Sequence, residues 1–235
     1  MTLPTHKNES KVDERDGMFI TLEGIEGAGK TTQLNGIVAF LNGRGIECAT
    51  TREPGGTAIG AQIRRVLLNP ENHALDANAE LLLYVADRVQ HIKTVIEPHL
   101  KAGRAVLCDR FWDATMVYQG YARGLDKKLI RDLHRLVCGN LKPSLTLLFD
   151  LDPEVGLARA WQEIHNGGRT DQEARFEKEA LAFHKKVRQG YLDLAQREPK
   201  RFKIIHAGEQ PHHVTAEIET TLAAFLQDRG AESSK

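Results

Sequence analysis

The sequence, 235 residues long, is short of several things, and each shortage removes a class of protein. It carries no excess charge: 32 Lys and Arg balance 32 Asp and Glu. There is thus no global electrostatic case for nucleic acid or a membrane surface as partner, and any anion site must be local. Cysteine is scarce and scattered. Cys48, Cys108 and Cys138 are odd in number and form no C-x-x-C pair, so they read as core thiols of a reducing cytosol rather than as a disulfide framework. No apolar run approaches the roughly 20 residues of a membrane span. The stretch "MTLPTHKNESKVDERDG" also lacks the apolar segment of a signal peptide. The expectation is a soluble, cytoplasmic chain. The ten histidines fall into no H-E-x-x-H or Cys/His pattern, so no zinc site is expected.

What is present is an alternation. Residues 1–16 and 229–235 are polar, without periodicity, and are expected to be mobile tails outside a fold that begins near Gly17. Between them, the β-rich runs "MFITLE", "ECATTRE", "AVLCD", "LTLLFDLD" and "FKIIHA" alternate with helical spacings. Examples are Leu34, Ile37, Val38 and Leu41, then Leu129, Ile130, Leu133, Leu136 and Val137, and last Val214, Ile218, Leu222 and Phe225. Strands alternating with helices predict βαβ crossovers and one mainly parallel sheet covered on both faces.

Between the first strand and the first helix lies "TLEGIEGAGKTTQL". Gly24, Gly29, Lys30 and Thr31 satisfy G-x-x-x-x-G-K-[ST] in the context the motif needs. Glycines let successive N–H groups point at one anion, the helix N-terminus adds positive potential, Lys30 reaches the outer phosphates, and the Thr31 hydroxyl can ligate Mg²⁺. The loop predicts a nucleoside triphosphate. Switches, motors and kinases all own such a loop, and the chain lacks the Asn-Lys-x-Asp of a guanine switch. A metabolic kinase needs a second set of cations for an anionic acceptor. "TREPGGT" follows the second strand and "DRFWDATMVYQG" the third, which puts Arg52, Asp109 and Arg110 at carboxyl ends of strands, the edge where open α/β sheets bind ligands.

Together with "GIEGAGKTT", these segments closely resemble the thymidylate kinase family, in order, from about Gly17 to the C-terminal helix. The resemblance implies a P-loop NTPase-like α/β fold: a five-stranded parallel sheet with helices on both faces and a mobile lid. It further implies a nucleoside monophosphate kinase domain over 17–228, with its lid at about 154–176, and transfer of the γ-phosphoryl of ATP to dTMP with Mg²⁺ as cofactor. A homodimer is also implied. ATP would lie on Gly24, Ile25, Glu26, Gly27, Ala28, Gly29, Lys30, Thr31 and Thr32. By the same likeness Arg52 grips the dTMP phosphate, Asp109 serves Mg²⁺ through its water shell, and Arg110 bridges the phosphates. Glu26 sits near the sugar 3′-hydroxyl, Tyr84 stacks on thymine, and Arg88 bonds the base edge. Thr115 and Gln119 contact the base, and Tyr118 stands beside the sugar, disfavouring a 2′-hydroxyl.

The chain departs from the family pattern in places. Ala114 stands where Ser is usual, and Trp161, Glu163 and Ala174 replace expected lid residues. Because Gly27 brings no arginine, the family's logic asks the lid for the catalytic cation. The candidates are Arg159 on the earlier helix, Arg175 at the start of the next, and Arg169 in the glycine-flanked "NGGRT", which is favoured. Two other readings stay open: another P-loop deoxynucleoside or nucleotide kinase, and a regulatory P-loop ATPase.

Overall fold

The computed structural model describes residues 17–139, 141–168 and 170–232; the expected N-terminal tail and the favoured lid residue Arg169 lie outside them. Five strands, β1 (Phe19–Gly24), β2 (Cys48–Arg52), β3 (Ala105–Asp109), β4 (Leu145–Asp150) and β5 (Phe202–His206), form one sheet in the order β2-β3-β1-β4-β5. Every pairing is parallel. The strands fall on the five β-rich runs because parallel strands covered on both faces need continuous apolar sequence. β1 is buried along its whole length, and its two polar residues are satisfied there. Thr21 shares a 2.9 Å hydrogen bond with Thr146, and Glu23 accepts from the Phe111 N–H at 2.8 Å and from the Tyr191 hydroxyl at 2.7 Å.

The helices are α1 (Lys30–Asn42), α2 (Ala58–Leu68), α3 (Ala77–His91), α4 (Glu97–Lys101), α5 (Trp112–Thr115), α6 (Lys127–Cys138), α7 (Pro153–His165), α8 (Leu181–Arg197) and α9 (Pro211–Glu232). Asp76, Asp126 and Asp152 cap α3, α6 and α7 by accepting from N–H groups of the first turn. α3 passes into α4 through a wider π-type stretch at Ile92–Ile96, where Pro98 has no N–H to return to the preceding turn. A second wide stretch, Met116–Ala122, follows α5 and packs on α8.

Two expected boundaries move. α9 runs past the expected limit at 228 to Glu232, because nothing after Asp228 breaks its hydrogen-bond ladder. Arg175 does not begin a helix: its N–H bonds the Leu68 carbonyl at the end of α2, and α8 starts only at Leu181.

Parallel register puts Gly24, Arg52 and Asp109 on the same edge of the sheet, with Arg52 paired to Asp109 and Gly24 to Phe149. β1 has β3 on one side and β4 on the other, so the chain leaves this edge in both directions and opens a crevice above β1. The glycine loop fills its floor. Gly27 has φ +68°, and a Cβ there would stand 2.0 Å from the Gly156 carbonyl oxygen, so the loop and α7 touch backbone to backbone. No larger residue fits, which is the physical reason this loop carries no arginine at position 27.

Candidate active site

A cleft of about 780 Å³ lies on this edge, and the loop and both downstream motifs wall it. The loop's contribution runs from Glu26 to Thr32; Gly24 and Ile25 lie behind it, the Ile25 side chain in the core. Lys30 opens α1 and curls back, its Nζ donating to the Gly24 and Ile25 carbonyls at 3.1 and 2.9 Å. Burial, reinforced by the nearby Arg110 guanidinium, lowers its ammonium to about 8. Lys30 is thus satisfied within its own loop at the cleft wall. Asp109 ends β3 at the same wall, and its Oδ1 is buried with no hydrogen-bond partner. Thr31 is exposed beside Lys30 at the start of α1.

Glu26 is the knot of the cleft. Its Oε1 accepts from Arg110 Nη2 at 3.1 Å and from the Tyr118 hydroxyl at 2.6 Å, while His184 Nδ1 lies 3.2 Å from Oε2. Burial pushes this carboxyl up, but Arg110 and His184 outweigh it and hold it well below the usual carboxylate range. The other ring nitrogen of His184 meets the Phe176 carbonyl at 3.0 Å, which orients the imidazole. Arg110 itself adopts φ +67°, rare for a residue with a side chain, and this aims the guanidinium at Glu26 and over the Tyr118 ring.

Arg52, Tyr84, Arg88, Thr115, Tyr118 and Gln119 all reach the same cleft. Arg88 is 1% exposed. It pairs with Glu53 and donates to Thr115 Oγ1 at 2.7 Å, yet its Nε is left buried without a partner. Gln119 gives its amide N–H to Glu80 at 2.7 Å, leaving its carbonyl oxygen likewise unpartnered. One free donor and one free acceptor on the wall of a single cleft suit the edge of a heteroaromatic base.

A family model described as thymidylate kinase matches residues 22–218. The chain belongs to the thymidylate kinase family. It is similar to the thymidylate kinase of Desulfosudis oleivorans, with 58% identity over 190 residues covering 81% of this chain and 89% of that protein. To that of Syntrophotalea carbinolica it is 54% identical over 208 residues, 88% of this chain and 96% of the relative. Among solved structures, the crystal structure of thymidylate kinase from Ehrlichia chaffeensis superposes with a TM-score of 0.69 at 33% identity, covering 88% of this chain and 99% of that one.

Two of the three candidate arginines, Arg159 and Arg175, lie among the described residues, and both are engaged. Arg159 donates to the Ala207 carbonyl at 3.1 Å from the cleft wall. Arg175 is buried, bonded to the Leu67 carbonyl and ion-paired with Glu80. It is a structural clasp, which corrects its standing as a candidate for a swinging cation. Glu80 holds Arg123 as well, and it was invisible in the sequence, where it reads as the first-turn acid of α3. Glu53, His91 and His184 were missed too. Glu53 lay inside the quoted "TREPGGT", but no local signal marks it as buried under Arg88.

Proposed function

We propose that this chain transfers the γ-phosphoryl group of ATP to dTMP, giving ADP and dTDP. The observation that carries the reading is one cleft in which the phosphate loop faces a second cation set, Arg52 and Arg110, with Arg88 and Gln119 beyond it. Gly27 to Thr32 take the triphosphate on backbone N–H groups, and Lys30 leaves the loop carbonyls for the outer phosphates. Arg52, a fork at the end of β2, takes the acceptor phosphate. An oxygen of that phosphate attacks the γ-phosphorus as the bond to the β-bridging oxygen breaks, and the acceptor is already ionised, so catalysis is positioning and charge neutralisation. Arg88 and Gln119 offer thymine their unpartnered Nε and carbonyl, Tyr84 offers a ring face, and Tyr118, fixed on Glu26, closes the space beside the sugar.

Mg²⁺ fits this wall: the unpartnered Asp109 carboxylate oxygen and the exposed Thr31 hydroxyl are hard oxygen donors. Bound with ATP, the ion would neutralise developing phosphate charge. Among the described residues no group of three or more His, Cys, Asp or Glu is arranged to hold a metal alone. The kinase domain runs from 17 to the end of α9 at Glu232, with its lid at about 154–176. No helix among the described residues is long and apolar enough to cross a membrane, and the three cysteines are unpaired. The free thiols support placement in a reducing cytoplasm. The homodimer draws support from exposed Ile59 and Val66 on α2, Leu82 and Val89 on α3, and Leu129 on α6, neighbouring helices with apolar side chains outward.

A coupled ADP-release assay tests the reaction. Release is expected with dTMP, more weakly with dUMP, and not with thymidine or without an acceptor; chelation by EDTA abolishes it. Equal release without any acceptor nucleotide would leave an ATPase instead. The lid arginines separate in a second experiment. Arg169→Ala is expected to lower kcat by about 10²-fold or more with Tm nearly unchanged, as for a cation that acts only in the transition state. Arg175→Ala should instead lower stability by about 2–3 kcal/mol by unclasping Glu80. The reverse pattern would move the catalytic role to Arg175. Light scattering checks the dimer: Leu82→Asp should convert a two-chain mass to a one-chain mass, and a one-chain mass in the parent would refute it.

A further inference from the structure

The segment that turns Thr115, Tyr118 and Gln119 toward the cleft turns Trp112, Met116 and Tyr121 toward a second cavity, of about 540 Å³, closed by α6 and α8. The catalytic reading uses none of its walls. They are strongly basic, with Lys127, Arg131, Arg135, Lys142 and Arg197 against one acid, Glu198. Glu198 is spent on Arg201, which bonds both its oxygens at 3.1 Å. Lys127 sits 3.4 Å over the Tyr121 ring, whereas the other four cations have no ion pair among the described residues.

Exposed cations alone would be an ordinary solvated face; the floor of the cavity is not ordinary. His134 and Trp112, each 7% exposed, stack at 4.2 Å between ring centroids. Both imidazole nitrogens and the indole N–H are buried without a hydrogen-bond partner. Burial, helped by Arg88, Lys142 and Arg201, lowers His134 to about 3, so the ring is neutral and offers one donor and one acceptor. With the indole that makes two donors and one acceptor, buried at a cost unless something meets them.

We propose that this cavity is a second ligand site, separate from the catalytic cleft, and that it takes a nucleoside triphosphate. Arg131, Arg135, Lys142 and Arg197, with no ion pair among the described residues, match the about four negative charges of a triphosphate. The mixed donors and acceptor of the floor match a heteroaromatic base edge, which carries both kinds of group, whereas a fully ionised polyphosphate carries acceptors only. The volume lies in the ordinary range for ligand pockets. A nucleic-acid strand is the less favoured partner, since the balanced net charge supplies no extended basic field around the cavity.

The protein carries its own reporter, for one of its two tryptophans, Trp112, lines the cavity and Trp161 can be removed. The Trp161→Phe protein, its cleft filled with excess ADP and dTMP, which do not react together, is titrated with GTP, CTP and dTTP. A saturable change in Trp112 emission is expected with at least one of them. Arg131→Glu with Arg135→Glu should raise that Kd at least about tenfold while kcat and both substrate KM values stay within about twofold. His134→Phe, which keeps the stack, should weaken the nucleotide but not tripolyphosphate. No saturable change up to about 5 mM, some 3 kcal/mol of binding, would overturn the proposal, as would an unchanged Kd in the double variant. Tripolyphosphate binding as tightly as the nucleotide, or a single-stranded oligonucleotide binding more tightly, would overturn it too.

Discussion

Charge cannot stay buried alone, and the cleft of this chain is organised by that constraint. Three carboxylates lie beneath it, Glu26, Glu53 and Glu80, each below one-tenth exposure. Each gathers basic side chains from elsewhere in the chain: the Arg110 guanidinium and the His184 ring on Glu26, the Arg88 guanidinium and the His91 ring on Glu53, and two guanidiniums, Arg123 and Arg175, on Glu80. The carboxylates belong to three different segments, the glycine loop, the turn after β2 and α3. Their pairs therefore tie the glycine loop, the turn after β2 and α3 into one frame with the segments that follow β3 and precede α8. Such pairs are weak evidence for stability, since desolvation offsets much of the attraction. What they supply is position: Arg88 and Arg110 line the cleft already held by these partners, while Arg123 and Arg175 fasten the segments behind it.

The frame also divides labour. Arg88 and Gln119 each spend part of their hydrogen-bonding capacity on a buried carboxylate or Thr115 and keep one atom unspent, facing the cleft wall. Arg175 gives its Nε to the Leu67 carbonyl and its Nη2 to Glu80, outside the cleft lining, and is scaffold. Lys30 stands between these extremes, satisfied by two carbonyls of its own loop yet lining the cleft. The difference between a binding residue and a clasp is thus not residue type but how much capacity folding has already consumed.

The sheet and the loop were legible in the sequence because their causes are local. Continuous apolar runs mark parallel strands, and "GIEGAGKTT" needs only its flanking strand and helix to be read. Arg52, Asp109 and Arg110 were placed at the cleft by strand ends alone. Glu80 was not, because its partners lie 43 and 95 residues away and its own surroundings look like an ordinary helix start. His184 likewise sits on a plain amphipathic pattern, 158 residues past the loop carboxylate it meets. Arg175 misled for the same reason: its role is set by the end of α2, not by the glycine-rich turn before it.

If buried carboxylates set the acceptor site, then neutralising one should loosen the acceptor while sparing the donor. Isothermal titration of Glu53→Gln measures this directly, with dTMP and ADP titrated separately. The substitution keeps the shape of the side chain but removes the charge that fixes Arg88. In this variant dTMP is expected to bind at least about tenfold more weakly while ADP affinity changes less than about twofold, the latter also reporting an intact fold. Unchanged dTMP affinity would contradict it, and so would an equal loss for both nucleotides.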